Sequence, residues 1–253
     1  MSDRQDQQRP GSELSLSLRS RVEAFKGSDD WEEVSLTRGF PAGQTALIIC
    51  DVWDRHWSRG ASERVDAMAP RINQVVQALR RQGVLIVHAP SDTLEFYRDH
   101  PARKRVLEVP QVETPSPLEL PDPPLPIDDS DGGSDTGETS WHKAWTRQHP
   151  AIEIREEDAI SDNGQEIYGL FQHRGIQNVV ILGVHTNMCV LKRSFGIKNL
   201  VRWRLNTVLV RDLTDTMYNP AMPPFVSHDR GTELVVEHIE KHWCPTTLSQ
   251  CLL

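Results

Sequence analysis

Four short, almost wholly apolar runs constrain this chain more than any other feature. They are Thr45–Cys50 (TALIIC), Val84–His88 (VLIVH), Val179–Leu182 (VVIL) and Thr207–Val210 (TVLV). Runs without polar alternation suit strands covered on both faces, the condition of a parallel sheet. Between the first two, Ile72, Val75, Val76 and Leu79 recur at helical spacing, and Gly83 supplies a stop. Pro70 is expected in the first turn of that helix or at a kink. The order strand, helix, strand describes a βαβ unit with a right-handed crossover. Ile152–Arg155 (IEIR) reads as a short strand. Asp162 reads as the N-cap of a helix that turns Ile167, Leu170 and Phe171 inward and ends at Gly175. A last helix is expected around Thr232–His242. The pattern predicts an α/β fold, a doubly wound, mostly parallel sheet of five or six strands with helices on both faces.

Residues 1–43 are polar and are expected to form a disordered tip and a short arm packed on the domain. Residues 44–253 read as one domain. Within it, 111–140 (QVETPSPLELPDPPLPIDDSDGGSDTGETS) is too rich in Pro, Asp, Gly and Ser for a core, and reads as a disordered loop or a functional lid. The net charge of -8 argues against nucleic acid or an anionic membrane as partner. No apolar run has the length of a membrane span, and the N-terminal MSDRQDQQRPGSELS lacks a signal-peptide core. A soluble, cytoplasmic protein is expected. The cysteines, Cys50, Cys189, Cys244 and Cys251, have neither disulfide-scaffold nor zinc-site spacing.

Ligands of open α/β sheets bind outside the carboxyl ends of the strands. The first apolar run is followed by Asp51, with Trp53, Asp54, His56 and Trp57 close behind. The second ends in His88, followed by Ser91 and Asp92. Val179–Leu182 leads into Gly183-Val184-His185-Thr186-Asn187-Met188-Cys189-Val190, which places Cys189 at the start of a helix. A helix N-terminus lowers a thiol's pKa and offers N–H groups to an oxyanion. Asp51 meets Cys189 if their strands are neighbours, as a doubly wound order makes them, and can then serve as its general base. The plainer alternatives are a turn or cap role for Asp51 and a packing role for Cys189. Trp53, His56, His88 and Asp92 are pocket candidates, and Trp53, Trp57, Phe96 and Tyr97 are candidates for its aromatic walls or for core. His238 and His242, four residues apart, have a spacing that can hold zinc but more often marks a polar stripe.

The segments ALIICDVWDRHW, GVLIVHAPSD, ISDNGQEIYGLFQHRGIQNVVILGVHTNMCV and NTVLVRDLTDT together resemble the isochorismatase-like cysteine hydrolase superfamily. That superfamily includes nicotinamidases, N-carbamoylsarcosine amidohydrolase and isochorismatases, and the resemblance covers about residues 44 to 240. It implies that Cys189 is the nucleophile and Asp51 the catalytic aspartate. It implies a cis peptide at Val184–His185 and an oxyanion hole formed by backbone N–H groups near His185 and of Cys189. It also implies a lysine at the end of the third strand, where this chain reads AIEIREED. Arg155, Glu156 or Glu157 stands there instead, and Lys143 is the nearest upstream lysine. An arginine would supply charge but hardly exchange a proton. A glutamate would raise the thiol's pKa. The metal motif of nicotinamidases, Asp-x-His, is broken at Asp92-Thr93-Leu94, so no metal and no cofactor are expected.

The resemblance therefore implies a cysteine-dependent hydrolase of a C–N bond, amide or ureido, in a small molecule, working as a homodimer or homotetramer. Two alternatives stand beside it: vinyl-ether hydrolysis of the isochorismatase type with Asp51 as acid, or an altered relative that binds a ligand or partner.

Overall fold

The computed structural model describes residues 12–253. Its centre is built from the four apolar runs. β3 (Thr45–Cys50), β4 (Leu85–Ala89), β6 (Asn178–Val184) and β7 (Asn206–Asp215) lie parallel, with β3 between β4 and β6. Alternate residues of β3 enter opposite cores: Ala46 and Ile48 join one cluster, Leu47 and Ile49 the other. On one face, α1 (Arg59–Arg81) packs Ile72, Val76 and Leu79 against the sheet. The other face is covered by α2 (Pro101–Leu107), α3 (Gly164–Arg174), α4 (Ile197–Arg202) and α5 (His228–His242). Each fully buried Leu or Ile contributes about 2 kcal/mol of transfer free energy, so the two-sided burial of β3 and β6 makes them the rigid centre of the molecule.

Among the described residues the sheet has eight strands, in the order β2-β1-β8-β7-β6-β3-β4-β5 with β5 at Ala159–Ile160, more than the five or six expected. The extra strands are β1 (Glu13–Glu23), β2 (Trp31–Pro41) and the two-residue β8 (Thr246–Thr247). β1 and β2 form an antiparallel hairpin, and β1 joins the sheet edge by pairing Arg19 with Thr246. The expected arm is thus part of the sheet. Its signal is strict alternation, with Leu14, Leu16 and Leu18 buried and the residues between them exposed. The tip of the tail, residues 1–11, lies outside the described residues.

Three local expectations shift. Ile152–Arg155 is not a strand; β5 forms further on, at Ala159–Ile160, beside β4. Pro70 lies well inside α1, which starts at Arg59 under a Ser58 cap. Asn163, not Asp162, caps α3 by accepting from the N–H groups of Gln165 and Glu166. Among the described residues no helix is long and apolar enough to cross a membrane.

Candidate active site

The site begins at the point where the sheet changes direction. β3 and β6 are neighbours in a register that pairs Cys50 with Gly183, so the residues following them emerge side by side. Gly183 has φ of +116°, and a Cβ there would fall 2.0 Å from the carbonyl oxygen of Cys50. Only glycine allows β3 and β6 to approach this closely. The Val184–His185 peptide is cis. The chain then enters one π-helical turn, Thr186–Val190, which carries Cys189. Thr186 hydroxyl to Thr214 hydroxyl (2.7 Å) ties this turn to β7, and the Asn187 side chain bonds both the N–H and the carbonyl of Met217 (3.0 Å each).

Asp51 is fully buried at the end of β3, with φ of +51°. A non-glycine residue in that region costs about 1–3 kcal/mol, a strain that recurs at functional positions. One carboxylate oxygen accepts from the Ser91 N–H at 2.7 Å, and the other accepts from Arg193 Nε at 3.0 Å. The Cys189 thiol lies close enough to this carboxylate for the two to shift each other's pKa. Burial raises the Asp51 pKa, while Arg193, Cys189 and Ser91 pull it down. Burial and then the Asp51 carboxylate push the Cys189 thiol well up, with Arg193 and the backbone N–H of His185 opposing. The resting proton therefore sits on sulfur. The thiolate expected from a helix N-terminus is not preformed, because one short buried turn cannot offset desolvation beside a carboxylate.

Cys189 and Arg193 open onto a cavity of about 360 Å³. Its walls are largely aromatic, with Trp53, His56, Trp57, Trp141 and Trp145 among them. Trp53 and Trp145 stack at 4.2 Å between centroids and 12° between planes, and His56 lies nearly parallel to Trp145 at 5.7 Å. Burial lowers His56 to about 3 and His185 to about 4, so both imidazoles are neutral near pH 7. The 111–140 excursion supplies Asp131, Gly132 and Thr139 to the wall. It is strapped down by the Asp128 N–H to Pro223 carbonyl bond (2.9 Å) and by Asp135, which takes both terminal nitrogens of Arg64 at 2.8 and 3.1 Å.

The model of the isochorismatase domain matches residues 45–217, well over half of the chain. The chain belongs to the isochorismatase family. A cysteine hydrolase from Pseudomonas syringae pv. phaseolicola 1448A is 15% identical over 83% of this chain and 91% of its own, with a TM-score of 0.52. An isochorismatase from Pseudomonas putida KT2440 is 12% identical over 84% of this chain and 91% of its own, with a TM-score of 0.50. At such identities the likeness concerns the fold. Among curated proteins none matches the chain significantly.

The positive charge beside Asp51 does not come from the residues expected to supply it. Arg155 pairs with Glu153 at 3.0 Å on the surface, and the Glu156 carbonyl accepts from Arg105. Both precede β5 and neither lines the cavity, because the strand they were expected to end lies after them. Lys143 donates to the backbone carbonyl of Asp92. The cation against Asp51 is instead Arg193, four residues after Cys189. That spacing puts the two on one side of a helical turn, and is the signal that would have found it.

Trp53, His56 and Asp92 line the cavity. Trp57 lines it too, but Phe96 is exposed and Tyr97 is buried beside Ile160, away from the cavity. His88 does not line it: it is fully buried, bridging Gln148 at 3.1 Å and Asp158 at 3.0 Å. Among the described residues no group of three His, Cys, Asp or Glu side chains gathers as metal ligands, at His88 or at His238 and His242. Sequence reasoning also missed Trp141, Trp145 and Asp131, which belong to a segment with no regular structure.

Asp158 carries a stability role. Burial works against its charge, but His88 and Arg80 (2.6 Å) hold its pKa down to about 2. A lowered carboxylate pKa adds stability above the unfolded-state pKa of about 4 and loses it as pH falls toward 2. Asp158→Asn is expected to cost about 2 kcal/mol at pH 7 by urea unfolding, with the gap to wild type closing between pH 4 and pH 2. A gap independent of pH would contradict this.

Proposed function

We propose that this protein is a cysteine-dependent hydrolase that cleaves a C–N bond, amide or ureido, in a small molecule through a thioester. The observation that carries this reading is the Cys189 thiol in the wall of an aromatic cavity, beside the buried Asp51 carboxylate that Arg193 pairs. Asp51 removes the S–H proton as sulfur attacks the carbonyl carbon, so the step needs no preformed thiolate. The developing oxyanion takes the backbone N–H groups of His185 and Cys189. As the tetrahedral intermediate collapses, the C–N bond breaks and Asp51 returns its proton to the leaving nitrogen. Water then attacks the thioester carbonyl and gives a proton to Asp51. Collapse of that second intermediate expels the thiolate, which takes the proton back.

Arg193 keeps its proton throughout. Burial alone would weaken it, but Asp51 raises its pKa further out of reach. Its role is to hold Asp51 in place and to stabilise whichever of the pair is anionic. Vinyl-ether hydrolysis with Asp51 as acid is the second reading, and it is favoured by burial, which raises the Asp51 pKa although Arg193 opposes it.

The test is ammonia release from a panel of small amides and ureido compounds, with intact-mass analysis of quenched reactions. The expected result is turnover together with an acyl adduct on Cys189. Full activity after stoichiometric iodoacetamide labelling of Cys189 would overturn the proposal.

A further inference from the structure

The cavity bears an electrostatic signature that the cysteine chemistry does not require. Asp131, from the excursion, lines it, and its carboxylate accepts only from neutral groups, the Gly133 N–H at 2.9 Å and the Asn219 amide at 2.8 Å. Asp129 accepts from Asn187 of the nucleophile turn at 2.7 Å. Asp92 lines the cavity as well, and Asp51 is buried behind its wall, bonded to Arg193. Among the described residues, Arg193 is the one cation in the lining, with Lys143 near Asp92. Arg193 bonds Asp51 and reaches Asp92 at 3.5 Å, and Lys143 is held by the Asp92 carbonyl. The two imidazoles in the wall are neutral near pH 7.

The remaining wall is indole. Trp57 packs under Gly132, next to Asp131, and Trp141 stands largely exposed at the opening. Indole faces attract cations through their quadrupole, more so where water is excluded. A neutral ligand would fill the indole box but leave the Asp131 carboxylate without a counter-charge. An anion would have to compete with Asp51 and Asp92 for Arg193. We propose that the substrate of this site carries an ammonium group, quaternary or protonated, held between the Trp57 and Trp141 indoles and the Asp131 carboxylate. This rests on the cavity being the substrate site of the proposed hydrolase.

Thiol-directed probes of matched size read this charge preference at Cys189 itself. The full chain is treated with trimethylammonioethyl, methyl and sulfonatoethyl methanethiosulfonates, and labelling of Cys189 is followed by peptide mass mapping. In each case the thiol sulfur displaces methanesulfinate and forms a mixed disulfide, its proton passing to Asp51. Relative to the same reagents acting on glutathione, the cationic probe is expected to outpace the neutral one by about tenfold or more, and the anionic probe to lag. Asp131→Asn should cut that preference severalfold, whereas Glu63→Gln, an exposed change on α1, should leave it intact.

Equal rates for cation and anion, or a preference unchanged by Asp131→Asn, would overturn the ammonium proposal while leaving the nucleophile in place. A neutral probe that fails to label Cys189 would instead count against the cysteine mechanism. Tetramethylammonium titration, followed by tryptophan fluorescence, then decides the ammonium site independently. Saturable quenching weakened by Asp131→Asn supports it, and no response overturns it.

Discussion

Cys189→Ala is expected to lower kcat/KM by about 10⁴-fold or more on any amide the protein hydrolyses, with the fold intact. The side chain is only partly buried and the substitution removes one sulfur from the edge of a cavity, so unfolding by circular dichroism should shift little. Asp51→Asn should be nearly as damaging, because an amide cannot take the S–H proton. Groups that act as one unit do not add, so the double variant should be no worse than Cys189→Ala alone. The pattern also separates mechanisms. A dead Asp51→Asn beside an active Cys189→Ala would show acid catalysis by Asp51 without a covalent step, and would remove the thioester from the scheme.

Gly183→Ala is expected to be the most destabilising single methyl in the central sheet, at about 3–5 kcal/mol. Two costs add. The residue holds φ at +116°, and the new Cβ would meet the Cys50 carbonyl at 2.0 Å. The obstacle is the backbone of β3, buried on both faces and hydrogen-bonded on both edges, so it cannot yield as a flexible side chain would. Gly43→Ala, where a Cβ meets nothing within 4 Å, should stay within about 0.5 kcal/mol and serves as the control. Urea unfolding checks both, and a loss under 1 kcal/mol at Gly183 would contradict the close approach. Because Gly183 sets the register that brings Asp51 to Cys189, any folded Gly183→Ala protein should also lose cysteine reactivity.

Much of the architecture was legible in the chain. A strand buried on both faces must be apolar along its whole length, so TALIIC and VVIL announce themselves, and their positions put Asp51 and Cys189 at one sheet edge. The hairpin is harder to see, since β1 exposes over a third of its residues and β2 most of its residues. β5, at two residues, is shorter than any period that could reveal it, so Ile152–Arg155 reads as the strand and Arg155 and Glu156 as its end.

The proposed nucleophile and base follow from local pattern: hydrophobic runs fix which strands lie centrally, and strand ends fix which residues face the cavity. What surrounds that pair was decided only by the tertiary structure. Arg193 reaches Asp51 because one π-helical turn swings it back over the strand end, and Trp145 and Asp131 reach the cavity from loops with no periodicity to read. The thiol's protonation likewise depends on burial and on a carboxylate distant in sequence, since desolvation and through-space charge are properties of the folded chain and not of any segment.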